Sequence, residues 1–162
     1  MRVFGVALLS GVVLLGACGG GESQNAATDS AAMAAPAVTP APTGAMTAVA
    51  PTGTIHEVHM VGDATGYRYE PANITVKSGD GIKFIMISGG PHNVAFDPAT
   101  IPADQKDQLF ANMPESMDGN SPMFMTPNQE WVLSLGNIKP GKYPFHCTPH
   151  LALNMRGEIT VE

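Results

Sequence analysis

Between Gly19 and Gly53 the chain has almost nothing with which to build a core, and this confines any fold to the residues beyond Gly53. Of these 35 residues, 11 are Ala, 5 Gly, 5 Thr, 4 Pro and 2 Ser. Glu22 and Asp29 are its only charges, and it holds no aromatic residue. Such a stretch buries too little apolar surface to offset the entropy of ordering it. Alanine by itself favours helix, but Pro36, Pro40, Pro42 and Pro51 break one. The expectation is a flexible tether with an end-to-end distance of roughly 30 Å.

Upstream, Arg2 precedes an apolar run from Val3 to Leu15. That run is too short for a membrane-spanning helix but has the length of a signal-peptide core. It ends in Leu15-Gly16-Ala17-Cys18, which resembles the bacterial lipoprotein signal. The resemblance implies cleavage before Cys18 and diacylglycerol on its thiol, in preference to a plain secretory signal. The expected division is a lipoprotein signal peptide over 1–17, lipidated Cys18 with a disordered linker over 18–53, and a folded head over 54–162. The protein is expected in the cell envelope, exported and lipid-anchored to a membrane, on the periplasmic side in a Gram-negative cell.

The head carries 7 basic and 12 acidic side chains. That balance excludes a nucleic-acid binder, which needs a basic face for phosphates. Two cysteines in the whole chain exclude a multi-disulfide scaffold. Short alternating runs predict strands over Thr54–Val61, Ile74–Val76, Gly81–Ile87, Trp131–Leu135, Tyr143–Cys147 and Gly157–Val161, with a short extended run over Pro91–Phe96. Ser78-Gly79-Asp80-Gly81 and Lys139-Pro140-Gly141 read as turns. Many short strands in about 100 residues predict an all-β sandwich or barrel. Ala103–Met113 reads as one short helix, anchored by Leu109 and Phe110, inside a long connection from Asp97 to Asn128.

With Cys18 lipidated, Cys147 has no internal disulfide partner. His150 follows it by three residues, Met155 by eight, and His92 lies 55 residues upstream. One thiolate, two imidazoles and one thioether are the donor set of a blue (type 1) copper electron-transfer site, with a trigonal Cys/His/His plane and a weak axial methionine. A two-residue gap lets one tight loop present Cys147 and His150 to a single ion. Pro149 stiffens that loop and removes a backbone donor. The set leaves no open position for substrate, which argues for a carrier and against an enzyme.

Pro91-His92-Asn93-Val94-Ala95-Phe96-Asp97 and Tyr143-Pro144-Phe145-His146-Cys147-Thr148-Pro149-His150, with Met155 and Gly157 behind, resemble the two ligand segments of the plastocyanin/pseudoazurin family of cupredoxins. Pro71–Asp80 resembles that family's early strand and turn. The resemblance implies a Greek-key β-sandwich and one copper per head, held by His92, Cys147, His150 and Met155. It implies that His92 is the buried ligand, that His150 sits near the surface among apolar side chains, and that Asn93 ties the ligand loops together. Leu151-Ala152-Leu153-Asn154 replaces the family's usual small residues. The leucines either enlarge the docking patch or shift the loop and the bond to Met155.

His146 follows the wrong alternation to join this set, and His56 and His59 lie on opposite faces of a strand. Met113, Met117, Met123 and Met125 are read as core filler in preference to a soft-metal surface. Asp104, Asp107, Glu115 and Asp118 make the same region acidic, either as a docking face or as a solvated loop. The expected role is a monomeric electron carrier between envelope redox proteins such as c-type cytochromes or a membrane oxidoreductase. The alternative is a copper storage or delivery protein.

Overall fold

The structure, a computed structural model, describes residues 46–162. The expected signal peptide, Cys18 and the linker as far as residue 45 lie outside the described residues. Strands β1 (Ile55–Asp63), β2 (Gly66–Glu70), β4 (Gly81–Met86) and β5 (Glu130–Ser134) form one sheet in the order β2-β1-β4-β5. Strands β3 (Asn73–Val76), β7 (Arg156–Val161) and β6 (Gly141–His146) form the other, in the order β3-β7-β6. Both sheets are mixed: β1 runs parallel to β4 and β3 parallel to β7, while the remaining pairs are antiparallel. This is the all-β sandwich expected, with one short helix.

Period-two alternation builds the core. Val58 and Met60 of β1, Ile82, Phe84 and Met86 of β4, Trp131 and Leu133 of β5, Tyr143 and Phe145 of β6, and Ile159 and Val161 of β7 are all buried. Phe145 is the hub of an edge-on aromatic cluster, with centroids 4.7 Å from Tyr69 and 5.5 Å from Phe84. Removing a buried Phe of this kind costs about 3–5 kcal/mol. On the outer face, Lys83 Nζ reaches Glu57 at 2.8 Å and Glu130 at 3.7 Å, bridging three strands.

Helix α1 (Lys106–Ala111) falls within the expected window and buries Leu109. Pro91–Phe96, expected as a short extended run, is held by isolated bridges from His92 to Phe124 and from Ala95 to Asn120 and His146. β2 is an additional strand, whose alternation only Tyr67 and Tyr69 mark in the sequence.

The head also begins earlier than composition suggests. Residues 47–53, expected as the end of the tether, lie as a strap against the fold. Val49 N donates to Asn112 Oδ1 at 2.8 Å, and Gln108 Nε2 donates to Thr47 O at 3.0 Å. Thr52 N and Gly53 N both reach Gly79 O at 2.9 Å. Asn112 and Gln108 are themselves buried and bonded to each other at 2.9 Å. Hydrogen bonds to this pair and to Gly79 O hold the segment.

Candidate metal centre

The candidate site lies at the end of the sandwich where β4 and β6 finish. His92 and His150 present Nδ1 to Cys147 Sγ at 3.7 Å and 3.4 Å. The three donor atoms lie within 4.8 Å of one another, and all three residues are buried. Residues from two loops, 55 positions apart, thus converge without any carboxylate among them.

Each imidazole is aimed by a different device. The Nε2 of His92 lies 2.8 Å from the carbonyl of Ser88. A carbonyl only accepts, so Nε2 carries the proton and Nδ1 keeps its lone pair toward Cys147. The Ser88 carbonyl is itself pinned by Gly62 N at 3.0 Å. Gly89, at φ +75°, permits this close pass: a Cβ there would strike the Gly62 backbone. His150 is held by Tyr67, whose ring stacks on it at 3.7 Å between centroids and 15° between planes. Gly62 makes room, since a Cβ on it would sit 2.7 Å from the Tyr67 ring.

Asn93 joins the two loops. Its Oδ1 accepts from Thr148 N at 2.7 Å, and its Nδ2 donates to Thr148 Oγ1 at 3.1 Å. Tyr69 of the core donates to Asn93 O at 2.6 Å. Pro149 is exposed in the turn between Cys147 and His150. The next residues form a 3-10 turn, Leu151–Leu153, and Asn154 at φ 63° returns the chain inward. Met155 arrives fully buried, with Cys147 N donating to its carbonyl at 3.0 Å and its own N–H donating to His150 O at 3.2 Å. The two leucines therefore face solvent, 36% and 57% exposed, while Met155 keeps its backbone pairing with Cys147.

Burial sets the protonation states. It holds His92 and His150 below the usual imidazole range, so both offer neutral nitrogens. Burial also pushes the Cys147 thiol up, against backbone hydrogen bonding from Asn93 and His150. A buried thiol and two neutral imidazoles with inward lone pairs fit a soft-to-borderline ion such as copper.

The other histidines are elsewhere. His56 Nε2 pairs with Asp80 at 2.9 Å, far along β1, and His146 is tied through its backbone to Ala95. The methionine stretch departs from the expectation of core filler. Met113 is buried, but Met117, Met123 and Met125 are exposed; between the last two, Phe124 takes the inward position. In the acidic stretch, Asp104 pairs with Lys139 at 2.8 Å and Asp107 with Lys106 at 3.6 Å. Tyr67, Ser88 and Thr148 join the site without having stood out in the sequence. Tyr67 has a faint signal in its alternation with Tyr69, whereas Ser88 acts through a carbonyl and leaves none.

Residues 56–162 match the family model of copper binding proteins, plastocyanin/azurin family. The chain is similar to plastocyanin of Prochlorothrix hollandica, 34% identical over 65% of this chain and 72% of that protein. It is similar to plastocyanin of Dryopteris crassirhizoma, 36% identical over 63% of this chain and 96% of that one. The oxidized structure of the Dryopteris crassirhizoma protein superposes with a TM-score of 0.51 at 34% identity, covering 65% of this chain and 99% of the other. The chain belongs to the plastocyanin/azurin family of copper binding proteins, blue-copper electron carriers that are not enzymes.

Proposed function

We propose that this chain is a lipid-anchored, one-electron carrier of the cell envelope, exported through its N-terminal signal and tethered by Cys18. In this reading His92, Cys147 and His150 would hold the copper strongly and Met155 would add a weaker thioether bond. The convergence of the three donor atoms within 4.8 Å carries the proposal. Copper supplies a couple that changes by one electron. The protein supplies a cage that stays put: the Ser88 carbonyl fixes one imidazole, the Tyr67 ring the other, and Asn93 locks the loops that carry them. A cage braced in this way suits both oxidation states, so little structure moves with the electron. The exposed Leu151 and Leu153 next to His150 offer an apolar contact for a redox partner such as a c-type cytochrome or a membrane oxidoreductase. The carrier works as a monomer.

The test is an optical and EPR spectrum of the full chain with one equivalent of Cu(II). The expected result is an intense visible thiolate-to-copper band with narrow copper hyperfine splitting, lost in Cys147→Ser. A pale, wide-split spectrum with no reversible redox wave overturns the carrier and favours storage or delivery, the reading that the exposed methionines support. Cys18→Ala should move the protein from the membrane to the soluble fraction; unchanged fractionation overturns the anchor.

A further inference from the structure

Met123 and Met125 sit beside the buried centre but outside it, and the Cys147 site does not use them. Between them, Phe124 is only 3% exposed and is locked to His92 by two backbone hydrogen bonds, Phe124 N to His92 O at 2.8 Å and His92 N to Phe124 O at 3.1 Å. That pairing makes the segment extended, so its side chains alternate. Met123 and Met125 therefore share the outward face, 46% and 63% exposed. Positions two apart on such a segment are separated by about 7 Å. Two flexible thioether side chains at that spacing can close on one ion.

The surroundings favour a cation. A cavity of about 150 Å³ opens beside Met123, with Glu115, Glu130 and Trp131 also on its wall. Glu115 lends it negative potential, while the charge of Glu130 is shared with Lys83 at 3.7 Å. Trp131 Nε1 donates to Pro114 O at 2.8 Å, which fixes the indole, a ring type that attracts cations to its face. Gln129 Oε1 accepts from the N–H groups of Met125 and Thr126, holding the end of the segment in place. Thioethers are soft, neutral ligands that select cuprous copper over Cu(II), zinc or magnesium.

We propose that Met123 and Met125 form a second, surface site for a soft monovalent ion, Cu(I), on the segment bridged to His92. Its physiological meaning rests on the reading of His92, Cys147 and His150 as copper ligands. Binding adds two neutral sulfur ligands in place of water, so no proton is released and no electron moves.

Silver(I), a redox-inert stand-in for Cu(I), tests this on the full chain carrying Cys147→Ser, followed through the methionine methyl signals by NMR. The expected result is that Met123 and Met125 shift together and saturate at one equivalent. Adding Met123→Leu and Met125→Leu, near-isosteric changes at exposed positions, should weaken that uptake at least tenfold while unfolding stays cooperative. Shifts confined to Met155 would place the silver in the buried pocket and overturn the proposal. Equal shifts at Met46 and Met117 would mean an unselective thioether surface and overturn it as well. The blue spectrum of Cu(II)-loaded chain with the two Leu changes and Cys147 intact is read separately, so this site and the carrier reading fail independently.

Discussion

The phenol ring of Tyr67 lies almost flat on the imidazole of His150, 3.7 Å between centroids, and covers a side chain that would otherwise face water. Tyr67 comes from β2, the edge strand of the first sheet, and His150 from the loop after β6. The stack therefore ties one sheet to the ligand loop of the other. Aromatic pairs are worth about 0.5–1.5 kcal/mol beyond the area they bury. Tyr67→Ala should destabilise the metal-free protein by about 2 kcal/mol and Tyr67→Phe by under about 0.5 kcal/mol. Chemical denaturation checks the pair; an Ala variant as stable as the parent would show that the stack contributes nothing.

Asn93→Ala should be costlier than its size suggests. It removes both side-chain bonds to Thr148 and leaves a backbone N–H in the ligand loop without its acceptor. The expected loss is about 1–3 kcal/mol. Asn93→Asp keeps an acceptor for Thr148 N but loses the donor, and should fall between the two. Thermal unfolding of the three proteins gives the order directly.

Asp80 gives the fold an acid limit. Its carboxylate is held below the usual range by the Lys77 N–H first, then by the His56 side chain, with a smaller part from Thr54 N–H and with desolvation opposing them. A depressed native value means that the unfolded chain binds the proton more readily. The stabilisation is therefore complete above the ordinary carboxylate value of about 3.9 and is lost as pH falls through the native value. Asp80→Asn should lower Tm at neutral pH, and the gap should close in strong acid. A gap that stayed constant with pH would sink this account.

The strap at residues 47–53 should count as part of the head. A chain beginning at Thr54 loses the bonds from Thr47 and Val49 to the Gln108–Asn112 pair and both bonds to Gly79 O. At about 1 kcal/mol net for each bond, the loss should be about 2–4 kcal/mol against a chain beginning at Met46. Gly136→Ala should reproduce part of it, because its Cβ would meet Val49 Cγ1 at 2.5 Å. Equal urea midpoints for the two chains would rule the strap out as a structural element.

Leu151→Ser with Leu153→Ser should leave the optical spectrum unchanged, since both side chains are exposed and neither is among the converging donors. Under the carrier reading, the same change should slow reduction by a c-type cytochrome about tenfold, a loss of about 1.4 kcal/mol at the contact. Stopped-flow mixing measures it; an unchanged rate would mean that the partner docks elsewhere.

The strands and the donor residues are legible because each leaves a local mark. Ile82, Phe84 and Met86 alternate with Lys83 and Ile85, and Cys147, His150 and Met155 fall within nine residues. What the sequence hides is everything that depends on a distant backbone. Ser88 acts on His92 through its carbonyl, which every residue possesses. The strap looks like linker because its order comes from Gln108 and Asn112, more than fifty residues away. The methionines depart from expectation since a Met-rich run does not say which member turns inward; Phe124 settles that by pairing with His92.

In mechanical terms, the strap sets the point at which the preceding chain joins the head. It is clamped to Asn112 and to Gly79, just before β4 begins, whereas His92 follows the opposite end of that strand. The six residues of β4 separate the two by about 20 Å. A tug on the chain ahead of Thr47 is therefore taken up at one end of the sandwich by Gly79 and the Gln108–Asn112 clamp. Under the lipid-anchor reading, the imidazoles and the thiol lie at the end of the head remote from its attachment.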